Sequence, residues 1–352
     1  MKHILPSLFL AVFIAGSGVD TRAQDIFQTD NGMFSTSDLK MNTPMDARRR
    51  LLIRATSNLV GRLSIKTGDQ PQASVVYAKL AKTDSRTRAF DYIDLMSVSL
   101  DKFPEFVRLD LRAPNPAPWS SDRESGSIEA QITIPSGCDV EIEAIYFDVY
   151  AEGPFASFIN RSSLGRLEIS NVTKVLELST SNRRINLTNI SGDISVTTSH
   201  ATLYAGGITA KTSAARFRND GGDIKLENLT GQANVKNSYG RIDILGFRAS
   251  GEGNFIRGAS GPITIELTAL ENGQLVVSNR YEDIEIMMPD DISAYFSLAV
   301  DDDGIIDASN FKFTPTLVKP NRLAFTAGGG EVDVSASIRG KGNILITGFE
   351  QD

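Results

Sequence analysis

One cysteine, one tryptophan and two histidines in 352 residues leave little of the usual reactive chemistry. The lone Cys138 cannot close an internal disulfide, and between two strand-like stretches it reads as a small buried hydrophobe. A zinc centre needs several His or Cys ligands at defined spacing, which excludes that metal. His3 falls in the N-terminal leader, so only His200 is left, a polar turn residue with no spacing that marks it as a catalytic base. Basic charge is also outweighed, 36 Lys and Arg against 43 Asp and Glu. The formal net charge is -7, and the one dense cluster along the chain, Arg48-Arg49-Arg50, reads as a solvated strand flank. That balance gives no electrostatic reason to bind nucleic acid or anionic lipid.

Long apolar runs are missing as well, except at the start. Lys2 and His3 precede a run from Ile4 to Ala15, then Gly16-Ser17-Gly18 and a cleavage-like Thr21-Arg22-Ala23. About twelve apolar residues are too short to span a bilayer, where roughly twenty are needed, so residues 1–23 read as a signal peptide. No Cys follows that would take a lipid. The mature chain is expected to be exported, periplasmic or at the cell surface, without a transmembrane segment, and its formal charge falls to -8 as Lys2, Arg22 and Asp20 leave.

The remaining 329 residues exceed one ordinary globular core of about 100 to 200 residues. Residues 24–150 read as a β-rich capping domain, with period-two runs at 61–67, 73–78, 105–111, 127–134 and 139–144. Ala89, Tyr92, Ile93 and Met96 fall at helical spacing behind a Thr83/Asp84/Ser85 cap, which predicts one short helix. Pro114, Pro116 and Pro118, followed by polar 120–126, predict a long exposed hairpin loop, because proline lacks the amide donor that a paired strand needs.

From 151 to 290 one unit recurs: Leu167-x-Ile169, Leu176-x-Leu178, Ile185-x-Leu187, Ile194-x-Val196. Halves ending in Asn171, Asn189 and Asn228 alternate with halves ending in Ser181, Ser199 and Ser238. Each series advances by 18 residues and then by 39, so both break together at one three-residue insertion near Ala201–Ala214. The fold expected is all-β: a β-solenoid of about seven 18-residue coils, aliphatics inward and polar residues outward, closed by C-terminal coils and a cap in 291–352. Glycines before the strand halves, among them Gly222, Gly240 and Gly261, suit tight corners, and corner asparagines are placed to stack along the axis. The same stacking makes Asn160, Asn171, Asn186, Asn189 and Asn228, each followed by x-Ser/Thr, corner residues rather than glycan acceptors.

Gly61-Arg-Leu-Ser-Ile65, Ile132-Thr-Ile-Pro135 leading to Val140-Glu-Ile142, the units Gly192-Asp-Ile-Ser-Val196 and Gly222-Asp-Ile-Lys-Leu226, and the closing Gly342-Asn-Ile-Leu-Ile346 together resemble a bacterial family of exported β-solenoid proteins labelled "putative adhesins", a domain of unknown function. The resemblance runs from about Gly61 to Thr347. It implies a solenoid outside the cytoplasm with no established catalytic residues. The family turn Thr-Ser-x-Gly-Asp is degraded here, as in Thr180-Ser-Asn-Arg-Arg184.

Polysaccharide lyases and hydrolases also use β-helices, with paired carboxylates on an outer face. The outward row Glu168, Asn186, Lys225, Asp243 is no carboxylate ladder, and neither is Glu177, Ser195, Asn234. Calcium-binding β-rolls are excluded because Gly221-Gly-Asp-Ile-Lys225 lacks their Gly and Asp places; Asp301-Asp302-Asp303 offers oxygens without a full calcium-loop spacing. The expected function is a non-catalytic adhesin-like binding or scaffold protein, without cofactor, with a glycan or an envelope protein as partner and with self-association through solenoid ends open to it. The alternative is a polysaccharide-active β-helix enzyme. Trp119, Tyr204 and Tyr281 are the candidate binding aromatics.

Overall fold

The computed structural model describes residues 25–119, 123–181, 183–301, 304–311 and 313–350, so the signal peptide expected in 1–23 lies outside the described residues. Strand alternation builds the rest. In Ile185–Thr198, Ile185, Leu187, Ile190, Ile194 and Val196 point inward and are buried, while Asn186 and Ser195 point outward. Leu167, Ile185, Leu203, Ile224, Ile242, Ile263, Ile284 and Ile344 stack in one interior row at 0–1% exposure. Each such side chain contributes roughly 1.5–3 kcal/mol by leaving water.

The rungs form two parallel faces. Face A runs Ser125–Pro135, Val60–Gly68, the first halves of Tyr146–Ser163, Leu167–Thr180 and Ile185–Thr198, then Leu203–Ala210, Ile224–Gly231, Ile242–Ser250, Ile263–Glu271, Ile284–Pro289, Ile344–Phe349 and Ile306–Asp307. Face B runs Phe106–Arg112, Arg50–Ala55, Asp139–Glu143, the second halves of the same three long strands, then Ala215–Asn219, Ala233–Asn237, Asn254–Arg257, Gln274–Asn279, Val332–Ile338 and Ala294–Val300. The expected all-β solenoid is therefore the fold: seven face A strands start within 151–290, from Leu167 to Ile284, and strands that start before residue 151 or after residue 290 bring the rungs to twelve among the described residues. The parallel ladder crosses residue 150 without a break, because Val149, Tyr150 and Ala151 pair with Leu167, Glu168 and Ile169.

Long strands turn a corner without ending. At that corner Asn171, Asn189 and Asn228 hold φ of 60°, 55° and 54°, the left-handed region that asparagine tolerates better than other residues bearing a Cβ. Asn189 Nδ2 donates to Asn171 Oδ1 at 3.4 Å, the amide stacking expected from the sequence. Rung spacing is 18 residues from Leu167 to Ile185 to Leu203, 21 to Ile224, 18 to Ile242, then 21 twice. The first extension lies between Ala210, still in 18-residue register, and Arg216, inside the expected window. Later extensions enlarge the same A-to-B corner, as at Gly251–Gly253. Opposite, a Cβ on Gly240 or Gly261 would run into the carbonyl of Gly222 or Gly240 one rung away.

Both ends place a rung out of sequence. The chain lays Arg50–Ala55 and Val60–Gly68, goes outward through Gln72–Lys82 and the helix Arg86–Leu95, and lays Phe106–Arg112 and Ser125–Pro135 outside them. Asp139–Glu143 then pairs on the inner side of Arg50–Ala55. At the other end Ala294–Val300 leaves a gap that Val332–Ile338 fills, so Ile284 pairs with Ile344. Antiparallel strands cover the outer edges: Gln72–Lys82 and Ser97–Lys102 on one side, Arg322–Ala327 and then Thr314–Lys319 on the other. Pro315 and Lys319 blunt the last edge against further pairing. Ser85 caps the predicted helix, which buries Ala89, Tyr92 and Ile93. The proline stretch corrects one expectation: it joins face B to face A as a solenoid corner rather than as a hairpin, and Trp119 at its end is buried.

Buried asparagines play two opposite parts. Asn219 Nδ2 donates to the Ala201 and Gly222 carbonyls at 2.7 and 2.9 Å, tying down the B-to-A turn, and Asn237 and Asn279 repeat the device. Asn160 instead lies at 0% exposure in the aliphatic row of Ile142 and Leu178, and neither its Oδ1 nor its Nδ2 has a partner among the described residues. An unsatisfied buried amide costs about 1–3 kcal/mol, so Asn160→Leu, of the same branched shape, is expected to raise the free energy of unfolding in urea by up to about that amount, less whatever the bulkier methyl groups cost in packing. Asn219→Ala is expected to cost about 2–4 kcal/mol, because it strands turn carbonyls and opens a cavity. Equal destabilisation by both changes in urea melts would refute this assignment. Burial first, then Asp139 and Asp46, push the Cys138 thiol up to about 12. Native protein at pH 8 should therefore leave Ellman's reagent unreacted until denaturant is added.

Candidate functional site

Stacking in register turns spaced residues into surface rows. On face A the outward row reads Tyr150, Glu168, Asn186, Tyr204, and beside it run Glu152, Ser170, Thr188, Gly206. Between the two tyrosines, three rungs or about 14 Å apart, the short side chains of Ser170 and Thr188 leave a trough of about 470 Å³ that also takes in Ser64 and Lys66. That volume is within the range of ligand sites, although this one is open and polar rather than enclosed.

Each tyrosine is held. The Arg62 guanidinium lies over the Tyr150 ring, 5.4 Å from its centroid. The Tyr204 phenol donates to Glu227 Oε2 at 2.7 Å, and Lys225 Nζ contacts Glu227 Oε1 at 2.7 Å. The hydrogen bond to Glu227, with burial behind it, raises the Tyr204 phenol above its usual range. Lys225 and then Tyr204 hold the Glu227 carboxyl below the ordinary carboxylate range. Gly206 leaves space for the phenol, since a Cβ there would lie 3.0 Å from Tyr204 Oη. The trough carboxylates are paired and open to water: Glu152 with Lys66 at 3.4 Å, Glu168 with Arg166 at 3.9 Å.

The three aromatics singled out from sequence occupy separate places. Tyr204 closes one end of the trough. Trp119 is 7% exposed, donates Nε1 to the Asn58 carbonyl at 3.0 Å and packs edge-on to Tyr92, so its ring offers no surface to a ligand. Tyr281 is 53% exposed at the B-to-A corner, beside Arg280. Tyr150 was legible as the partner of Tyr204, because positions 150, 168, 186 and 204 are 18 apart. The row expected from sequence passed from Asn186 to Lys225 and skipped the Tyr204 rung. Similarly, Arg216 lies between Ser195 and Asn234 on face B. His200 is exposed in its turn. Asp301 donates its backbone N–H to Ile338, while Asp302 and Asp303 lie outside the described residues. Among the described residues no group of three or more His, Cys, Asp or Glu is placed to hold a metal, and no helix is long and apolar enough to cross a membrane.

Three solved structures align with most of the chain. A "putative cell adhesion protein" from Clostridium sporogenes is 9% identical over 89% of this chain and 100% of its own, with a TM-score of 0.23. "Putative adhesins" from Bacteroides fragilis and Parabacteroides distasonis are 11% and 8% identical, each over 88% of this chain and 97% of theirs, with TM-scores of 0.27 and 0.32. No curated protein matches. The sequence itself matches the Toastrack DUF4097 family over residues 64–298, about two thirds of its length, with the repeat units Gly192-Asp-Ile and Gly222-Asp-Ile inside the match. The chain belongs to the Toastrack DUF4097 family.

Proposed function

We propose that this protein is an exported, non-catalytic, adhesin-like binding module that holds a short stretch of an extended glycan along face A. The observation that carries this reading is the pair of anchored tyrosines, Tyr150 and Tyr204, at the two ends of a trough floored by small polar side chains. Tyrosine rings offer a flat apolar face to a sugar and lose little entropy on binding. Ser170, Thr188 and Asn186 supply hydroxyl and amide partners between them. A parallel sheet also suits a linear ligand, since its rows repeat at a constant rise. Carboxylate pairing favours binding over cleavage: a glycosidase acid is kept protonated by an apolar surround, whereas Glu152 and Glu168 are each matched to a cation in water. The N-terminal leader, residues 1–23, supports export.

A glycan array probed with the mature chain, followed by calorimetry on the best oligosaccharide, tests the reading. Tyr150→Ala and Tyr204→Ala are each expected to weaken binding about tenfold, or 1.4 kcal/mol, with the thermal midpoint little changed. Retained affinity in the double variant, or cleavage of the captured sugar, would discard the proposal. A second outcome follows from the anchor. Glu227→Ala removes the acceptor that raises the Tyr204 phenol, so the ultraviolet pH titration of tyrosinate should gain one group moved back toward the ordinary tyrosine range, and glycan affinity should fall with it.

A further inference from the structure

Face B changes character along its length. In its N-terminal half every outward arginine meets a carboxylate on its own or a neighbouring rung: Arg50 with Glu141 at 2.6 Å, Arg54 with Glu143 at 2.7 Å, Arg161 with Glu177 at 2.9 Å, Arg108 and Arg112 with Asp110 at 2.9 and 2.8 Å. Two rungs beyond Glu177, the pattern stops. Arg218 pairs in register with Lys236 and Lys236 with Arg257, three cations in one exposed row at a rung spacing of about 4.8 Å. The adjoining row is Arg216, Asn234 and Phe255, and it contains no carboxylate. Asp220 reaches Arg218 only at 3.8 Å, from the turn, and Asp193 is taken by the hydroxyls of Thr212 and Ser213. Lys236 and Arg216 have no ionic partner among the described residues, and Arg257 lies over the Phe255 ring at 5.3 Å.

Like charges directly opposite on neighbouring strands destabilise a sheet, and a solenoid enforces that opposition at every rung. The same face relieves it elsewhere with glutamate. In a chain of net charge -7, an unrelieved cationic row is a feature that an outside anion completes. Its geometry defines that anion: negative charges repeated along a line at about the rung spacing, carried on rings that can stack on Phe255. A linear polysaccharide with one carboxylate or sulfate per sugar has this form. We infer that face B carries a second binding site, formed by Arg218, Lys236, Arg257, Arg216, Asn234 and Phe255, for a linear acidic glycan lying along the solenoid axis. It uses the opposite sheet from the trough, so the two sites stand or fall separately.

The experiment is calorimetry of the mature protein with polygalacturonate oligomers, with the same oligomers fully methyl-esterified as the uncharged control, and with single-stranded DNA of equal charge. The acid form is expected to bind at least tenfold more tightly than the ester. Arg218→Gln/Lys236→Gln/Arg257→Gln should weaken it at least tenfold and flatten its salt dependence by up to roughly one unit of log–log slope per cation removed. Tyr150→Ala/Tyr204→Ala should leave it unchanged. Loss of binding in that tyrosine variant would place the polyanion in the trough and overturn the site. Equal affinity for acid and ester, or for DNA and glycan, would overturn it too. The triple variant should melt no lower than the wild type at low salt, because a repulsion has been removed; a lower midpoint would show that these cations hold the fold together and refute the assignment.

Discussion

Every feature of this molecule depends on the parallel hydrogen-bonded ladder between rungs, which fixes each residue against its equivalent one coil away. A slip of one residue would turn every aliphatic of a rung into water, so register is held by the whole interior row from Leu167 to Ile344. The outer surface inherits that order. Whatever the sequence places 18 or 21 residues apart becomes a line of neighbours, whether a row of asparagines, a pair of tyrosines or a string of cations.

The stacking therefore imposes choices that a globular protein escapes. A polar group inside the tube is repeated or isolated. Asn219, Asn237 and Asn279 repeat and lock the turns, whereas Asn160 lies between isoleucine and leucine with no hydrogen-bond partner among the described residues. On face B the outward arginines of the N-terminal rungs each meet a carboxylate on their own or a neighbouring rung, whereas Arg218 and Arg257 flank Lys236. The two faces are distinct surfaces on one tube, one holding tyrosines over a shallow polar floor and the other grading from paired to unpaired charge.

Much of this was legible in the chain before any coordinates. The repeat, its alternation, the corner asparagines at 171, 189 and 228, and the helix behind Ser85 all follow from local chemistry, and each is where that chemistry puts it. What was not legible depends on counting through an irregular coil. The extension between Ala210 and Arg216 hides one rung, and that rung carries both Tyr204 and Arg216, so two functional rows lost a member each. The cationic row stayed hidden for a related reason: Arg218, Lys236 and Arg257 form no cluster along the chain and meet only when the coils close. The out-of-order end rungs leave no periodic trace, because a strand that pairs 60 residues away looks locally like any other. Trp119, in a polar proline-rich stretch, gave no sign that it would be buried beneath the first coils.

Those displaced rungs bear on how the tube carries load. Ile344–Phe349 is wedged between Ile284–Pro289 and Ile306–Asp307, and Arg50–Ala55 lies between Phe106–Arg112 and Asp139–Glu143. A tug on the C-terminal end of the described chain thus meets a strand held along its length by Ile284–Pro289 and at its first two residues by Ile306–Asp307, and it must shear both rows of backbone bonds together. At the other end Ile26–Gln28, held among the described residues only by Phe34–Thr36, and Leu39–Pro44, held only by Gln72–Lys82, come away before Arg50–Ala55 is loaded. Tension applied through the C-terminal end would therefore leave the rungs stacked for longer than tension applied through the first strands.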